Sequence, residues 1–336
     1  METKKIAFEY VPMDFTIKKM PDVAGVAVDS QDNIYYTIRS YGGYDAPVIV
    51  VDNDGKYLRA FGHGMLKNPH GIATDTEDNV YVCDAMRNCI FKFSNTGDLL
   101  MTIGTPDSPC DNGCVNYDFR TIAFSNDSLN HPSKLVVTKA GDIFIADGYG
   151  NARVHHYSKD GKHIKSWGDP GDQPGQFNVV HGIGYDEETG FVYVCDRENE
   201  RVQIFDSEGN LQAIWNDIWR PCDVVVRGDY AYVAELGELF FVDNVLYEPG
   251  SRRHHSQLRV FDKKTGEEVF CIGTADSGEK GSFFTLHCVT MNNKGELLAG
   301  EVSYPRDEIW IAYPNGVGMS HKTHPFLQKF RPVAAE

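Results

Sequence analysis

Three histidines in this sequence stand at the same place in a repeated pattern, and their spacing suits the binding of one metal ion. His70 and His287 each lie eleven residues before the corresponding residue of the next strand, and His181 lies twelve before it because its hairpin is one residue longer. Three neutral imidazoles leave the full charge of a bound divalent ion available, so the ion can act as a Lewis acid or lower the pKa of a bound group. Zinc is the expected ion, and iron, manganese or cobalt could occupy the same ligands.

One tyrosine and two arginines are expected near these histidines, because their loops open on the same face of the molecule. They are Arg39, Tyr149 and Arg197. Two guanidinium groups beside a metal suit a carboxylate-bearing substrate, which arginine binds through two parallel hydrogen bonds. A phenol close to a cation and to arginines is favoured in its ionised form and could serve as a base. The alternative is structural: the arginines could form ion pairs on the surface or between repeats, and the tyrosine could pack at the rim of the fold.

The element that must position these residues is a unit of four short strands, seen most clearly in Asn178–Leu211. Apolar and polar residues alternate within each strand, and turn residues separate the strands. The frame recurs at intervals of roughly 40–50 residues, which is the signature of a propeller blade. The other copies begin at Val23, Pro69, Ser133, Cys222 and His287. The sequence therefore predicts an all-β, six-bladed β-propeller with four antiparallel strands per blade.

The histidines fall in the first strands of blades 2, 4 and 6, and first strands line the central channel of a propeller. Alternate blades of a six-bladed ring are about 120° apart, so three imidazoles at one height converge on the channel axis. That is the geometry of a three-histidine metal site with an open position for water or substrate. The alternative is that the histidines only form hydrogen bonds within the channel. The same position in the other three blades is occupied by Ala24, Ser133 and Cys222.

The chain is expected to form a single domain over residues 1–336, with two insertions that exceed the blade pattern. Residues 105–132 lie between blades 2 and 3, and residues 236–257 lie between the second and third strands of blade 5. Both kinds of connection leave an up-and-down blade on the same face, so both insertions should overhang one mouth of the propeller. Loops of this length in a compact domain tend to be functional.

Blade 6 and the closure of the ring involve both ends of the chain. The third strand of blade 6 is expected at Ile309–Tyr313, followed by a turn at Asn315-Gly316. The sequence offers two sources for an outer strand that closes the ring: the N-terminal segments Phe8–Tyr10 and Asp14–Ile17, and the tail His324–Arg331. Glycines at equivalent turns between third and fourth strands are explained by a positive φ. They are Gly55, Gly97, Gly161, Gly209, Gly266 and Gly316.

Composition narrows the classes of partner and the compartment. The net charge of −16 argues against nucleic acid and against an anionic membrane surface as partners. The sequence has no long apolar segment and no apolar run of signal-peptide type, so a cytoplasmic location is expected. A reducing compartment also fits the cysteines better than a disulfide framework does.

Cysteines and aspartates recur at fixed places in the blades. Cys83 and Cys195 are expected to be small buried apolar residues, whereas the loop residues Cys110 and Cys114 could pair or hold a metal. Aspartates end the second strands of blades 2 to 4 and are expected to brace nearby turns by accepting backbone hydrogen bonds. They are Asp84, Asp147 and Asp196.

Several motifs resemble NHL repeats and, more narrowly, the lyase domain of the peptidylglycine α-amidating enzymes. The most specific are the segments 68–71 (NPHG), 147–153 (DGYGNAR), 174–177 (PGQF) and 196–201 (DRENER). The resemblance implies a six-bladed propeller whose catalytic zinc is held by the three histidines. It also implies that Arg39 and Arg197 are active-site arginines and that Tyr149 is the base. That family cleaves a carbinolamide and releases an amide and glyoxylate.

The sequence departs from that family at two positions. The family has an aspartate that helps bind a structural calcium directly after its third histidine, where this chain has Cys288, so calcium is left open. A family cysteine in the motif around the tyrosine is Gly150 here. The first hypothesis is therefore a metal-dependent lyase acting on a small carbinolamide-like substrate. A metal-dependent hydrolase or lactone lyase is an alternative, and so is a non-catalytic, protein-binding NHL propeller.

Overall fold

Six four-stranded antiparallel sheets make up the fold, which confirms the predicted all-β, six-bladed β-propeller. The computed structural model describes residues 6–16, 22–39, 47–237, 256–273, 281–302 and 326–334. Within these ranges the helical segments are two single turns of 3₁₀ helix, at Phe119–Thr121 and Arg197–Asn199. No helix in the described ranges is long and apolar enough to cross a membrane.

The strands are numbered in chain order, and blades 1 to 5 each use four consecutive strands. Strand β1 (Ile6–Val11) precedes blade 1, which comprises β2 (Gly25–Val28), β3 (Ile34–Thr37), β4 (Val48–Val51) and β5 (Tyr57–Phe61). Blade 2 comprises β6 (Pro69–Thr74), β7 (Val80–Asp84), β8 (Cys89–Phe93) and β9 (Leu99–Ile103). Blade 3 comprises β10 (Lys134–Val137), β11 (Ile143–Asp147), β12 (Arg153–Tyr157) and β13 (His163–Trp167). A short parallel pair, β14 (Asp169–Pro170) and β15 (Gln176–Phe177), leads from blade 3 to blade 4.

The second half of the ring repeats this arrangement. Blade 4 comprises β16 (Val180–Asp186), β17 (Phe191–Asp196), β18 (Arg201–Phe205) and β19 (Leu211–Trp215). Blade 5 comprises β20 (Pro221–Arg227), β21 (Tyr230–Glu235), β22 (Gln257–Asp262) and β23 (Glu268–Ile272). Blade 6 begins with β24 (Leu286–Met291) and β25 (Leu297–Glu301).

Both chain ends complete blade 6, so the two sources of a closing strand are used together. The last strand, β26 (Leu327–Ala334), pairs with β25 as the third strand, and β1 pairs with β26 as the fourth. The expectation that Ile309–Tyr313 forms the third strand is therefore wrong, because β26 occupies that place. The segment itself, with Gly316, lies outside the described residues. Pairing the N-terminal strand with the C-terminal strand closes the ring and leaves fewer free strand edges.

The core lies between the faces of neighbouring blades rather than at one centre. In the described ranges, each of six hydrophobic clusters draws on two adjacent blades. One cluster, for example, packs Tyr35 and Val50 of blade 1 against Val82 and Phe91 of blade 2. Because each blade is held by apolar packing against its neighbours, the first strands lie close together around the axis and their polar side chains meet in the channel.

Several repeated residues behave as the sequence predicts. The glycines of the third-to-fourth strand turns in blades 1 to 5 all have positive φ. Asp84, Asp147 and Asp196 are fully buried and accept backbone N–H groups of the segments entering their blades. Cys83 and Cys195 are also fully buried. All eight cysteines are free thiols.

Candidate metal centre

A bulge in the first strand of each of blades 2, 4 and 6 positions the three histidines. The pairing of first and second strands slips by one residue at His70, at His181 and at His287. A bulge leaves the extra residue out of the ladder and redirects its side chain. The repeated bulge therefore explains why three histidines from three separate sheets point into one place on the axis.

Each imidazole is oriented by the next blade around the ring. The Nδ1 atom of His70 is 2.7 Å from a backbone carbonyl oxygen in blade 3, that of His181 is 2.7 Å from one in blade 5, and that of His287 is 2.9 Å from one in blade 1. A carbonyl oxygen can only accept, so every Nδ1 carries the proton and every Nε2 keeps a lone pair. The three acceptors belong to the residues at the same repeat position: Ala24, Ser133 and Cys222.

The three rings form a compact and buried cluster. Their ring centroids are 4.7–5.2 Å apart, and their candidate ligand atoms all lie within 4.8 Å of one another. None of the side chains is more than 4% exposed. Burial and the charge of Arg39 lower the pKa of His70 to about 3, and the pKa values of His181 and His287 also fall well below the usual value because of burial. The imidazoles are therefore neutral at neutral pH and available as ligands.

The phenol of Tyr149 lies against two of these lone pairs. Its oxygen is 3.0 Å from Nε2 of His70 and 2.7 Å from Nε2 of His181. A phenol has one proton, so it can donate to only one of the two nitrogens. The loop after β11 brings Tyr149 to this place, and the guanidinium carbon of Arg197 lies 5.6 Å from the centroid of its ring.

The residues present fit a transition-metal ion. Three buried Nε2 lone pairs converge, and the Tyr149 proton can satisfy only one of them. A divalent cation accepts all three lone pairs at once, and the backbone carbonyls behind the rings fix the tautomer that binds it. Neutral nitrogen donors suit zinc as well as iron, manganese or cobalt, so the donor set is consistent with a metal ion without naming it.

A network of two arginines and a glutamate lies beside the cluster. Glu198 accepts from Nε of Arg197 at 2.7 Å and from Nη2 of Arg220 at 3.0 Å, through the same carboxylate oxygen. The Arg197 side chain is largely buried, and its positive charge contributes to the lowered pKa of His181, second to burial. The carboxylate fixes the Nε edge of Arg197 and leaves the donors of the terminal amino groups for other partners.

Arg39 reaches the same region from blade 1. Its Nε and Nη2 atoms lie 2.8 and 2.6 Å from one carboxylate oxygen of Asp22, and its side chain is 20% exposed. After burial and the neighbouring His70, its charge is a further cause of the lowered pKa of His287. Arg39, Tyr149 and Arg197 thus surround the histidine cluster, although three different blades contribute them.

The first insertion packs onto the loop that carries the tyrosine. Asn112 donates its side-chain N–H to the carbonyl of Gly150 at 2.8 Å, and Ser125 donates its hydroxyl to the carbonyl of Ala152 at 3.2 Å. Gly150 in turn donates its N–H to the carbonyl of Asn130 at 3.1 Å. The insertion therefore borders the histidine end of the channel. Of the second insertion, residues 238–255 lie outside the described ranges.

The channel layer next to the histidines holds a buried ion pair. Lys134 and Asp223 each follow the repeat position of the histidines, in blades 3 and 5, and their Nζ and Oδ2 atoms are 2.7 Å apart. Gly71 and Gly182 leave room, because a Cβ at either would lie 2.6 Å from the Cα of Lys134 or of Asp223. Burial disfavours the ammonium, but the carboxylate of Asp223 raises the pKa of Lys134 and keeps it charged.

These residues do not fit the structural calcium that the family resemblance implies. Cys288 replaces the ligand aspartate, and burial raises the pKa of its thiol, so it offers no negative charge. Lys134 already places a positive charge in the same layer, close enough to influence Cys288, and Asp223 neutralises it. Among the described residues of this layer, a divalent ion would face an ammonium and one carboxylate, whereas calcium binds six to eight oxygen ligands.

Sequence reasoning missed five residues that organise this site, although the sequence carries a signal for some of them. The residue directly after the histidine repeat position is glycine in blades 1, 2 and 4. In blades 3 and 5 it is a charged residue, Lys134 or Asp223, and the two charges are opposite. Glu198 directly follows Arg197. Asp22 and Arg220 precede first strands and give no such signal, because only the folded ring brings them to their partners.

The chain contains NHL repeats and is homologous to amidating enzymes. The NHL repeat family matches residues 66–93, 129–157 and 177–205, and the LVIVD repeat family matches residues 220–243. NHL repeat-containing protein 3 of Homo sapiens is 33% identical over 226 residues, which are 63% of this chain and 61% of that protein. Peptidylglycine alpha-amidating monooxygenase of Rattus norvegicus is 28% identical over 214 residues, which are 55% of this chain and 21% of that protein.

The name of a third relative gives the lyase activity alone. Peptidyl-alpha-hydroxyglycine alpha-amidating lyase 1 of Drosophila melanogaster is 31% identical over 170 residues, which are 45% of this chain and 27% of that protein. The chain thus spans about three fifths of the first relative and between a fifth and about a quarter of the other two.

Solved structures of other propellers share the fold. A gluconolactonase from Xanthomonas campestris has a TM-score of 0.58 at 12% identity, covering 94% of this chain and 88% of that chain. Virginiamycin B lyase from Staphylococcus aureus has a TM-score of 0.55 at 13% identity, covering 97% of this chain and 89% of that chain. At such low identities the likeness shows the propeller fold alone.

Proposed function

We propose that this protein is a metal-dependent lyase that cleaves a hydroxylated, carboxylate-bearing carbinolamide into an amide and an aldehyde acid such as glyoxylate. The observation that carries the proposal is the convergence of three Nε2 lone pairs and the Tyr149 phenol. Beside them lie two arginines, Arg39 and Arg197, each bound by a carboxylate. Homology to amidating lyases supports the reaction class. The free cysteines support a reducing compartment such as the cytoplasm.

The proposed roles follow from the position of each group. His70, His181 and His287 would hold zinc or a similar divalent ion, which when bound supplies Lewis-acid stabilisation of negative charge on the substrate oxygen. Arg39 and Arg197 would bind the substrate carboxylate, each held by its own carboxylate partner on one edge of the guanidinium. This places the hydroxyl-bearing carbon between the arginines and the histidines.

Tyr149 is the group placed to move a proton. Its phenol oxygen lies 3.0 Å from Nε2 of His70 and 2.7 Å from Nε2 of His181, and the guanidinium of Arg197 lies over its ring. As phenolate it would take the proton of the substrate hydroxyl. The oxygen electrons then form the carbonyl, the carbon–nitrogen bond breaks, and the amide nitrogen takes up the proton from the phenol. The reaction needs no other reagent, because the two products together contain every atom of the substrate.

Metal analysis combined with a glyoxylate assay tests the proposal. Elemental analysis of the purified chain should find close to one zinc, iron, manganese or cobalt per chain. The metal-loaded protein should release glyoxylate from N-benzoyl-α-hydroxyglycine, and chelation should abolish the release. Bound metal without glyoxylate release would favour a lactone or another hydroxylated substrate. A protein that binds no stoichiometric metal under any loading condition would instead be a binding propeller.

A further inference from the structure

A buried histidine of blade 3 links a buried carboxylate to a serine hydroxyl. The Nε2 atom of His155, on β12, is 3.2 Å from Oδ2 of Asp147, and both side chains are fully buried. Its Nδ1 atom is 2.8 Å from Oγ of Ser166, the residue that faces it across the ladder on the outer strand β13. The order carboxylate, imidazole, hydroxyl is the arrangement that activates a serine as a nucleophile.

The other partners of Asp147 fix the direction of the hydrogen bonds in this chain of groups. Its two carboxylate oxygens accept the backbone N–H of Asn130 at 3.1 and 2.9 Å, and Oδ2 also accepts a side-chain N–H of Asn151 at 2.9 Å. A carboxylate that only accepts makes Nε2 of His155 the donor, so Nδ1 of the neutral imidazole keeps its lone pair. The Ser166 hydroxyl then donates to Nδ1, which places its proton on the path to a base.

Other blades brace the equivalent carboxylate without a histidine. In blades 4, 5 and 6 a side chain at the place of His155 donates to the carboxylate that ends the second strand, at 2.9–3.1 Å. These pairs are Gln203 with Asp196, Arg259 with Glu235, and Gln328 with Glu301. Neither an amide nor a guanidinium is a base at neutral pH. Bracing alone therefore does not explain a histidine in blade 3, nor the serine opposite it, where blade 4 has Ile214.

The Ser166 hydroxyl lies where the blade begins to be exposed. Ser166 is partly exposed, and the exposed His163 of the same strand places its Nε2 atom 2.6 Å from Oγ. Because the Ser166 proton is directed to His155, the oxygen accepts an N–H from His163. Partial burial, and then the neighbouring His155, lower the pKa of His163, so this second imidazole is mainly neutral at neutral pH.

The charges around the hydroxyl disfavour an anionic reactant. Arg153 lies 2.8 Å from a carboxylate oxygen of Asp127 and 3.7 Å from one of Asp169, so one guanidinium faces two carboxylates. Hydrogen bonding to Arg153 lowers the pKa of Asp127, and His163 and Ser166 are close enough to contribute as well. An uncharged reactant avoids the repulsion that a phosphate or carboxylate would meet from these acidic groups.

We propose that Ser166 is a nucleophile that accepts acyl groups from small, uncharged esters, with His155 as its base and Asp147 positioning the imidazole. Oγ attacks the carbonyl carbon, and its proton passes to Nδ1 of His155. The bond to the alcohol oxygen then breaks, and the leaving alcohol takes that proton. Water hydrolyses the acyl-serine with the same base, so one ester and one water give one acid and one alcohol. This activity uses none of the residues of the proposed lyase reaction.

Acetylation by p-nitrophenyl acetate tests the site in the metal-loaded full chain. Peptide mass spectrometry would follow acetylation of Ser166 and of Ser94, a partly exposed serine whose hydroxyl contacts Thr96 and Asp98 but no imidazole. Ser166 should react at least about 100-fold faster, since a positioned base contributes roughly 10²–10⁴-fold. A bound metal ion could also hydrolyse this ester, so only the rate that Ser166→Ala removes belongs to the site. Equal acetylation of the two serines would overturn the proposal.

His155→Gln separates the base from the brace. Glutamine braces the same carboxylate in blade 4, so the variant should keep the urea midpoint of the wild-type protein while acetylation of Ser166 falls by roughly 10²–10⁴-fold. His163→Gln should keep most of the rate, because His163 donates to Oγ and takes no proton from it. Acetylation at the wild-type rate in His155→Gln would make His155 a brace alone, and loss of acetylation only in His163→Gln would make the exposed histidine the base. Either result rejects the proposal.

A cysteine at the same place supplies a test that does not depend on the folding of His155→Gln. The thiol of Ser166→Cys should be alkylated by iodoacetamide faster than the thiol of a matched Ser94→Cys variant, because an adjacent imidazole favours the thiolate. Equal alkylation rates would show that His155 does not act as a base toward this position.

Discussion

Replacing Lys134 by methionine should destabilise the fold by about 3–5 kcal/mol, because a buried carboxylate would lose its cation. The pair lies in the channel with Nζ and Oδ2 2.7 Å apart, and the side chains of Lys134 and Asp223 are 12% and 1% exposed. The same Oδ2 also accepts the backbone N–H of Val289 at 3.0 Å. After the substitution, the buried carboxylate of Asp223 would keep only backbone N–H groups as partners, and water cannot reach it. Breaking a buried ion pair costs most stability in this situation.

A second substitution separates the part of this loss of stability that is due to charge from the part that is due to packing. Lys134→Met combined with Asp223→Asn removes both charges and keeps an amide oxygen that can accept the N–H of Val289. Because the uncompensated charge disappears, the double variant should regain about 2 kcal/mol or more of the single variant's loss. Asp223→Asn alone should also be destabilising, since it leaves the ammonium of Lys134 buried without its counter-charge.

Urea denaturation at neutral pH would provide the free energies of unfolding. A matched control is Lys67→Met, because Lys67 and Asp107 form a pair of nearly equal length, 2.6 Å, with side chains that are 55% and 44% exposed. That exposed pair should contribute much less to stability, because solvent screens it. Asp107 keeps Arg87 as a second partner at 3.0 Å, so the contrast between the two methionine variants measures the cost of leaving a buried carboxylate without any cation.

Two results would refute the reasoning about this channel layer. A loss below about 1 kcal/mol in Lys134→Met would mean that the buried carboxylate finds another partner or a proton at little cost. Stoichiometric calcium in the wild-type protein, together with a loss of several kcal/mol on adding a calcium chelator, would show that an ion and not Lys134 organises the layer.

The remaining predictions concern the candidate catalytic groups. An alanine at any one of the three clustered histidines should remove most of the bound metal and leave the blades folded; metal analysis that finds stoichiometric ion in all three variants would place the site elsewhere. Tyr149→Phe should lower kcat roughly 10²–10⁴-fold, as for loss of a proton-transfer group, and a variant with full kcat would require a different base. Arg39→Ala and Arg197→Ala should mainly raise KM for a carboxylate substrate, because that contact forms before the transition state; an unchanged KM would remove them from substrate binding.

The fold and the histidine cluster could be predicted because both are properties of a repeat. Period-two strands and turn glycines are local signals of the sequence. Once the number of blades is known, the shared repeat position of His70, His181 and His287 predicts that the three side chains lie at the same height around the channel axis. The direction of the imidazoles depends on more than spacing. A one-residue bulge turns each side chain inward, and a carbonyl of the next blade fixes its tautomer.

Blade 6 could not be predicted in the same way because its pairing is not local. The segment Ile309–Tyr313 is an apolar run at the distance of a third strand, but the sheet instead pairs β25 with the tail strand β26 and then with β1. A nearby segment and a distant one compete for the third-strand place in blade 6. Closure of the ring favours the distant one, and a local sequence pattern contains no information about that closure. The pairing of Arg220 with Glu198 is also non-local, because the two residues are 22 positions apart and meet only where blade 5 packs against blade 4.

The charges at the histidine end of the channel bear on how a strongly acidic protein could accept the anionic substrate that we propose. Among the described residues, the guanidinium groups of Arg39, Arg197 and Arg220 are paired with the carboxylates of Asp22 and Glu198. The net charge of −16 is spread over the whole chain, and salt screens exposed charges beyond about 8–10 Å. A carboxylate at the channel therefore interacts mainly with the nearby guanidinium groups. Because a carboxylate anchors each of these groups, binding an anion does not require ordering a long flexible side chain.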